Sequence, residues 1–215
     1  MTSRIGTILL QPLLYAIIAA FHSVMIRTGQ GSRYARLLAA ALVLLIAGGA
    51  LGDDVEDRRA NAGVRLFRAL MLADTDLSKK TVAPNQLLVV FYYVDDQRRA
   101  NDLAARFVQE SKELRGLAVT TEVVNDPTME KLGARTPAGI FIAQSPNRKS
   151  IASLVHYGIS KHVIVYSPFE GHVELGVLGG LSVEAQVRPF LNHATLEASQ
   201  ISLKPLFLSV AKVFQ

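Results

Sequence analysis

The chain has no cysteine and no tryptophan among its 215 residues. Without cysteine there is no disulfide, no thiol nucleophile and no thiolate metal site, a composition compatible with an oxidising compartment. Acidic side chains are missing from residues 1–52, whose only charges are Arg4, Arg27, Arg33 and Arg36. Removing those four from the chain's 23 Lys and Arg leaves 19 basic against 18 acidic residues over 53–215, a net of +1 within the overall +5. So neutral a body is expected to carry no basic stripe and no stacking platform for bases, which disfavours nucleic acid as a partner.

Signatures of chemistry are scarce as well. There is no Gly-x-Ser-x-Gly elbow to present a serine nucleophile. His156, His162, His172 and His193 are scattered, with no two at the i, i+4 spacing of a helical metal pair, so no metal is expected. Tyr157-Gly-Ile-Ser-Lys161 has the Tyr-x-x-x-Lys spacing in which lysine lowers a tyrosine's pKa for proton transfer by an oxidoreductase. Such an enzyme also needs a Gly-rich turn after its first strand, where this chain has Asp95-Asp96-Gln97-Arg98. Gly171, Gly176, Gly179 and Gly180 lie in or before expected strands and open no helix onto a phosphate, so they read as places where backbone bends or packs closely. No cofactor is expected.

What is present begins with two apolar stretches. Residues 37–51 follow Arg33 and Arg36 and end at Gly52-Asp53-Asp54, the order of a positive segment, an apolar core and a small-residue cleavage site. Cutting after Gly52 fits Ala50-Leu51-Gly52, and Ala47-Gly48-Gly49 is an alternative. If translation starts at Met25, residues 25–52 are the whole signal peptide and 1–24, with the broken run of residues 8–20, are an apolar preface. The rival reading has both stretches spanning a membrane as a hairpin, although 37–51 falls short of the roughly 20 residues a bilayer needs. Export to the periplasm is the expectation.

Residues 53–215 read as one α/β domain. A helix over 53–73, acidic at its start in Asp53, Asp54, Glu56 and Asp57, buries Ala62, Leu66, Ala69 and Ala73 with Phe67 and Leu70 beside them. A buried strand over 86–94 follows a loop, then Asp95 or Asp96 caps a helix with Ala100, Leu103, Ala104, Phe107, Val108 and Leu114 on one stripe, ended by Gly116. Strands at 117–124, 138–143 and 162–166, with a helix over 148–157, complete an alternation that implies a mainly parallel, Rossmann-like sheet covered on both faces. Strands 177–183 and 187–191 are too close for a crossover and make a hairpin. Asn192 caps a short helix, and Ser202 a last one whose Leu203, Leu206, Phe207, Val210, Ala211 and Phe214 dock it on the sheet.

The loop from Ser167 through Pro168, Phe169, Glu170, Gly171 and His172 follows the carboxyl end of the fourth strand, where open α/β sheets place their crevices. It is the candidate partner-binding segment, with Phe169 either an exposed anchor or tucked into the core.

The C-terminal third, in Gly176 to Val183, Val187-Arg-Pro-Phe-Leu-Asn192 and Ile201 to Lys212, resembles the ending of the YfiR-like proteins. The Arg188 to Asn192 segment and the closing Leu-x-x-x-Ala-Lys rhythm are its most specific parts. The resemblance implies a periplasmic, self-associating regulator without a nucleotide site or catalysis. Such a protein acts in cyclic-di-GMP signalling by binding, and restraining, the periplasmic part of a membrane-bound diguanylate cyclase or sensor kinase, and an outer-membrane lipoprotein sequesters it. Two features depart from the family: its cysteine pairs are absent, and Leu72 to Asp76 replaces the aromatic-Pro ending of the first helix. A periplasmic protein that holds a small ligand in the crevice above the sheet is the alternative.

Overall fold

The structure is a computed structural model that describes residues 58–215, within a compact unit spanning Asp54–Gln215. The apolar preface, the signal segment and the acidic first turn lie outside the described residues. The chain is helical over residues 58–73 (α1), makes a 3-10 turn at Leu77–Lys79, and enters β1 (Thr81–Ala83) and β2 (Gln86–Tyr92). Then come α2 (Gln97–Glu110), β3 (Glu113–Leu114), β4 (Leu117–Val124), a 3-10 turn at Glu130–Leu132 and β5 (Gly139–Ile142). The remainder is α3 (Arg148–Lys161), β6 (Ile164–Ser167), β7 (Gly179–Val183), β8 (Val187–Asn192), α4 (His193–Ala198), α5 (Pro205–Val210) and β9 (Lys212–Phe214).

All nine strands join one sheet in the order β3-β4-β2-β5-β6-β7-β8-β9, with β1 antiparallel to the start of β2. The inner strands β4, β2, β5, β6 and β7 are parallel, and counted along the chain they run 2-1-3-4-5, the doubly wound order of a Rossmann-like domain. Strand alternation decides the two cores. Leu87, Val89 and Phe91 face α1 and α2, whereas Leu88, Val90 and Tyr92 face α3. On the first face Phe67, Phe91, Phe107, Phe141 and Tyr166 form a connected aromatic cluster with ring centroids 5.3–5.8 Å apart. β7 and β8 make the expected antiparallel hairpin, and Asp96 and Asn192 cap α2 and α4 by accepting from the amides of Arg99 and Thr195.

Four local expectations are corrected. α1 buries Ala60, Val64, Phe67, Leu70 and Met71, a line that maximises large apolar side chains, and leaves Ala62, Leu66 and Ala69 half-buried. α2 stops at Glu110, so Leu114 is in β3, and Gly116 with φ 77° turns the chain between β3 and β4. α3 continues to Lys161 and closes on His162 in the left-handed conformation. The last helix is short: Ser202 does not cap it, α5 ends at Val210, and residues 212–214 pair with β8 as an edge strand. The β-branched and aromatic pair Val213-Phe214 favours that extended ending. Of the expected stripe, Leu203 is buried in the core and Phe207 and Ala211 pack against it, whereas Leu206, Val210 and Phe214 are exposed.

Candidate functional site

In a doubly wound sheet the crevice at the carboxyl ends opens between the first and third strands, here β2 and β5. In this protein that place is filled from within. Gln144, just past β5, accepts the amides of Val94, Asp95 and Asp96 on its Oε1 at 2.9, 3.0 and 2.9 Å, and its Nε2 donates to Asp95 Oδ1 at 2.6 Å. Three converging amides are what a phosphate would need, and one side-chain oxygen has taken them all.

The loop chosen from sequence lies at the same edge, next to β6, and most of it is fastened down. Ser167 and Pro168 are buried, and His172 is 5% exposed. Ser167 Oγ is 2.7 Å from His172 Nδ1 and accepts the Phe169 amide, while His172 Nε2 is 3.1 Å from Ser145 Oγ. Arg59 of α1 donates to the Pro168 carbonyl. Farther on, Asn192 Nδ2 donates to the Val173 carbonyl and Thr195 Oγ1 to that of Gly176. These bonds stand in for a helix, because the β6–β7 crossover is built only of turns. Phe169 is half-buried against the second core and the His172 ring, with centroids 5.6 Å apart, so it is tucked in rather than offered as an anchor. Glu170 is solvated, its side chain 90% exposed, and Gly171 takes φ 78° in the turn. Burial pushes the His172 pKa down, against a smaller upward pull from Glu174, so the ring is neutral at pH 7.

Tyr157 and Lys161 fall one turn apart on α3. Burial raises the Tyr157 pKa, the reverse of what proton transfer requires. Gly179 and Gly180 lie in β7, where added Cβ atoms would meet Leu70 Cδ2 and Val173 Cγ2, each at 2.6 Å; close backbone packing is their role. Among the described residues no three His, Cys, Asp or Glu side chains gather as metal ligands, and no helix is long and apolar enough to cross a membrane.

A concavity of about 680 Å³ lies at the opposite edge, against the amino ends of β5 and β6. Four separate segments wall it: residues 74–82, Ala134 to Pro137, Lys161-His162 and Gln200-Ile201. Its cations are Lys79, Lys80, Arg135 and Lys161, and its carboxylates Asp74 and Asp76. Lys80 Nζ lies 2.6 Å from the buried Asp74, whose other oxygen accepts the Asp76 amide at 2.9 Å, so this pair braces the wall. Lys79 and Asp76 pair at 2.6 Å on the exposed rim, and the hydrogen bond with its attendant charge attraction lowers the Asp76 pKa and raises that of Lys79. Arg135 forks onto both carboxylate oxygens of Glu122. Lys161 has no acidic partner among the described residues. His162 Nδ1 is 2.9 Å from the Ser199 carbonyl, which can only accept, so Nδ1 carries the proton and Nε2 remains for other partners. Sequence reasoning missed this cleft because its walls come from four unconnected loops, none with a motif. The only signal was Lys79-Lys80 in a loop.

Sheet order and cleft define the class: a doubly wound α/β domain whose open concavity is at the amino edge of the sheet. No family model and no curated protein matches the chain. Among solved structures it is similar to the ABC domain in complex with L-Trp from Streptococcus pneumoniae, at 14% identity and TM-score 0.47, over 67% of this chain and 62% of that one. It is also similar to a conserved domain protein from Vibrio cholerae O1 biovar El Tor, at 12% identity and TM-score 0.44, over 64% of this chain and 58% of that one. The chain thus spans less than two thirds of the length of both structures.

Proposed function

We propose that residues 53–215 form a non-enzymatic binding domain that holds a small polar solute in the amino-edge cleft. The observation that carries this reading is the cleft itself: about 680 Å³ is within the range that encloses a small molecule, and its wall mixes apolar Val82, Pro137 and Ile201 with convergent polar groups. Thr81, Thr136 and Gln200 supply neutral hydrogen-bonding groups, Lys161 supplies a donor without an internal acid, and His162 Nε2 supplies an acceptor. A thermal-shift screen of amino acids, organic acids and sugars tests it, since a ligand that binds only the native state raises the melting temperature. A hit abolished by Lys161→Ala together with Thr136→Val supports the cleft. A hit indifferent to both substitutions, or no hit across the classes, removes the reading.

A second reading, the YfiR-like regulator of a periplasmic sensor region, is favoured by a different observation. Val183 and Val187 at the hairpin tip are 55% and 50% exposed, and Leu206 and Val210 of α5 are 80% and 54% exposed. Val183 and Val187 line one shallow concavity with Ala62 and Leu181, and contiguous exposed apolar side chains of this kind mark contact surfaces. In this reading the protein is exported, self-associates, and represses a diguanylate cyclase or sensor kinase through this apolar set, with an outer-membrane lipoprotein as a further partner. Co-purification from membranes tests it: recovery of a signalling enzyme that Val187→Asp abolishes supports the reading, and recovery of none counts against it.

A further inference from the structure

The amino-edge cleft continues past Ile201. Gln200 and Ile201 also wall a second concavity, of about 560 Å³, whose lining includes Leu196 of α4, Leu203, and Leu208 of α5. The two differ in chemistry. In the cleft Lys80 pairs with Asp74, Lys79 with Asp76, and Arg135 with Glu122 of β4. Lys161 is the cation of the cleft left without an acid among the described residues. The second concavity is apolar along its three leucines, and its one carboxylate, Glu197, is solvated, with a side chain 71% exposed and 3.7 Å from His193. The turn shared by both is held in place. The Ser202 carbonyl accepts the Thr75 amide at 2.9 Å, the Lys204 amide donates to the Ala73 carbonyl at 2.9 Å, and the Ser199 carbonyl accepts from His162. Gln200 itself takes φ 54°, which glycine would adopt at less cost, yet it presents a side chain with no hydrogen bond among the described residues.

We infer that the two concavities form one site for a monocarboxylate with an apolar tail. Its carboxylate meets Lys161, and its tail crosses Ile201 onto Leu196, Leu203 and Leu208. This rests on the solute-binding reading above and gives the solute a chemical class. The charge count selects the head: one unpaired cation matches one negative charge, and a dianion would bring a second for which the cleft holds no free partner. The leucines select the tail. Leu208 is 37% exposed, so an aliphatic chain laid on it removes apolar surface from water, whereas a sugar or a short polar acid would leave that wall wet. The fixed turn brings the two parts together, because His162, next to Lys161 in the chain, is bonded to the residue that precedes Gln200.

The test is an amide NMR titration of residues 53–215, which contain both apolar cores whole, with butyrate, hexanoate and octanoate, and with octanamide and octylammonium as neutral and cationic counterparts. Affinity is expected to rise about threefold per methylene along the acids. Octanamide and octylammonium are expected to bind at least about tenfold more weakly than octanoate. Lys161→Ala weakens every acid by a similar factor, and Lys161→Arg retains binding. Leu208→Asp, at a partly exposed position, leaves butyrate unchanged and removes the gain from tail length, so butyrate reports that this variant is folded. No gain with tail length, octylammonium equal to octanoate, or a gain that survives Leu208→Asp overturns the inference. A tail-indifferent polar solute whose binding needs Lys161 and Thr136 also overturns it while leaving the cleft reading in place. Failure of every acid and of the wider solute screen removes both.

Discussion

His172 is the residue whose surroundings make the sharpest statement about pH. Buried between Ser167 and Ser145, it has its pKa lowered by desolvation, with Glu174 opposing. The unfolded chain takes up the proton near the ordinary value of about 6.5 while the folded chain resists, so the unfolded state binds more protons in that window. Stability is therefore full above pH 6.5 and declines as pH falls toward the depressed folded value. Melting temperature measured from pH 7.5 to pH 5 is expected to drop, and His172→Gln, which keeps a hydrogen-bonding group without titrating, is expected to flatten that part of the curve. A wild-type decline that persists unchanged in the variant places its origin elsewhere. Gln144 makes the complementary point about geometry. Gln144→Ala strands three amides beside water and is expected to cost about 1–2 kcal/mol by urea denaturation. Gln144→Glu preserves the acceptor but turns its second oxygen toward Asp95, so it is expected to be less stable than wild type at pH 7 and to recover on acidification as one carboxylate takes a proton.

At the scale of elements, what was legible in the sequence was whatever local pattern determines. The alternation of strands and helices, a cap on α2 from Asp95 or Asp96 (in the structure, Asp96) and the β7–β8 hairpin all follow from spacing over a few residues. The errors share one cause, which is tertiary competition. Leu203 to Phe214 has a sound helical stripe, yet Leu203 bridges to Asp74 and residues 212–214 take the free edge of β8, so only Pro205–Val210 stays helical. The buried face of α1 is set by contact with β5, where Gly139 receives the Phe67 ring. A Cβ at Gly139 would lie 2.8 Å from Phe67 Cζ and 3.3 Å from Met71 Sδ; the thioether can shift, but the Phe67 ring is fully buried and rigid. Gly139→Ala is therefore expected to destabilise by about 1–3 kcal/mol through overpacking. Phe67→Leu/Gly139→Ala is expected to recover part of that loss, and a double-mutant cycle by denaturant melting measures the coupling. If the two substitutions add, the close approach of α1 to β5 does not govern the packing.

Across the described residues the two edges of the sheet differ in a way that the strand order alone does not set. At the carboxyl edge, where a doubly wound sheet ordinarily receives its ligand, Gln144 fills the switch point and the Ser167–His172–Ser145 bonds fasten the loop beside it, leaving a concavity of about 210 Å³ against Phe169 and Gly171. The amino edge holds the open cleft, braced by Asp74 and Lys80. The sequence pointed to the carboxyl edge because the rule that locates crevices comes from topology, whereas Gln144 fills the switch point only after the topology has formed. Hydrogen exchange with and without a saturating ligand from the thermal-shift screen decides which edge works. A ligand at about 100 times its Kd adds roughly 2.7 kcal/mol to global stability, so slowly exchanging core amides are slowed wherever it binds. Amides that exchange through local opening report the site itself. Slowing is expected at Thr81, Thr136, His162 and Gln200, with the amides of Val94 to Asp96 unchanged because Gln144 already holds them. Slowing confined to Val94–Asp96 and the amides of Ser145 and Asn147 would return the site to the carboxyl edge, with Gln144 then acting as a plug that the ligand displaces.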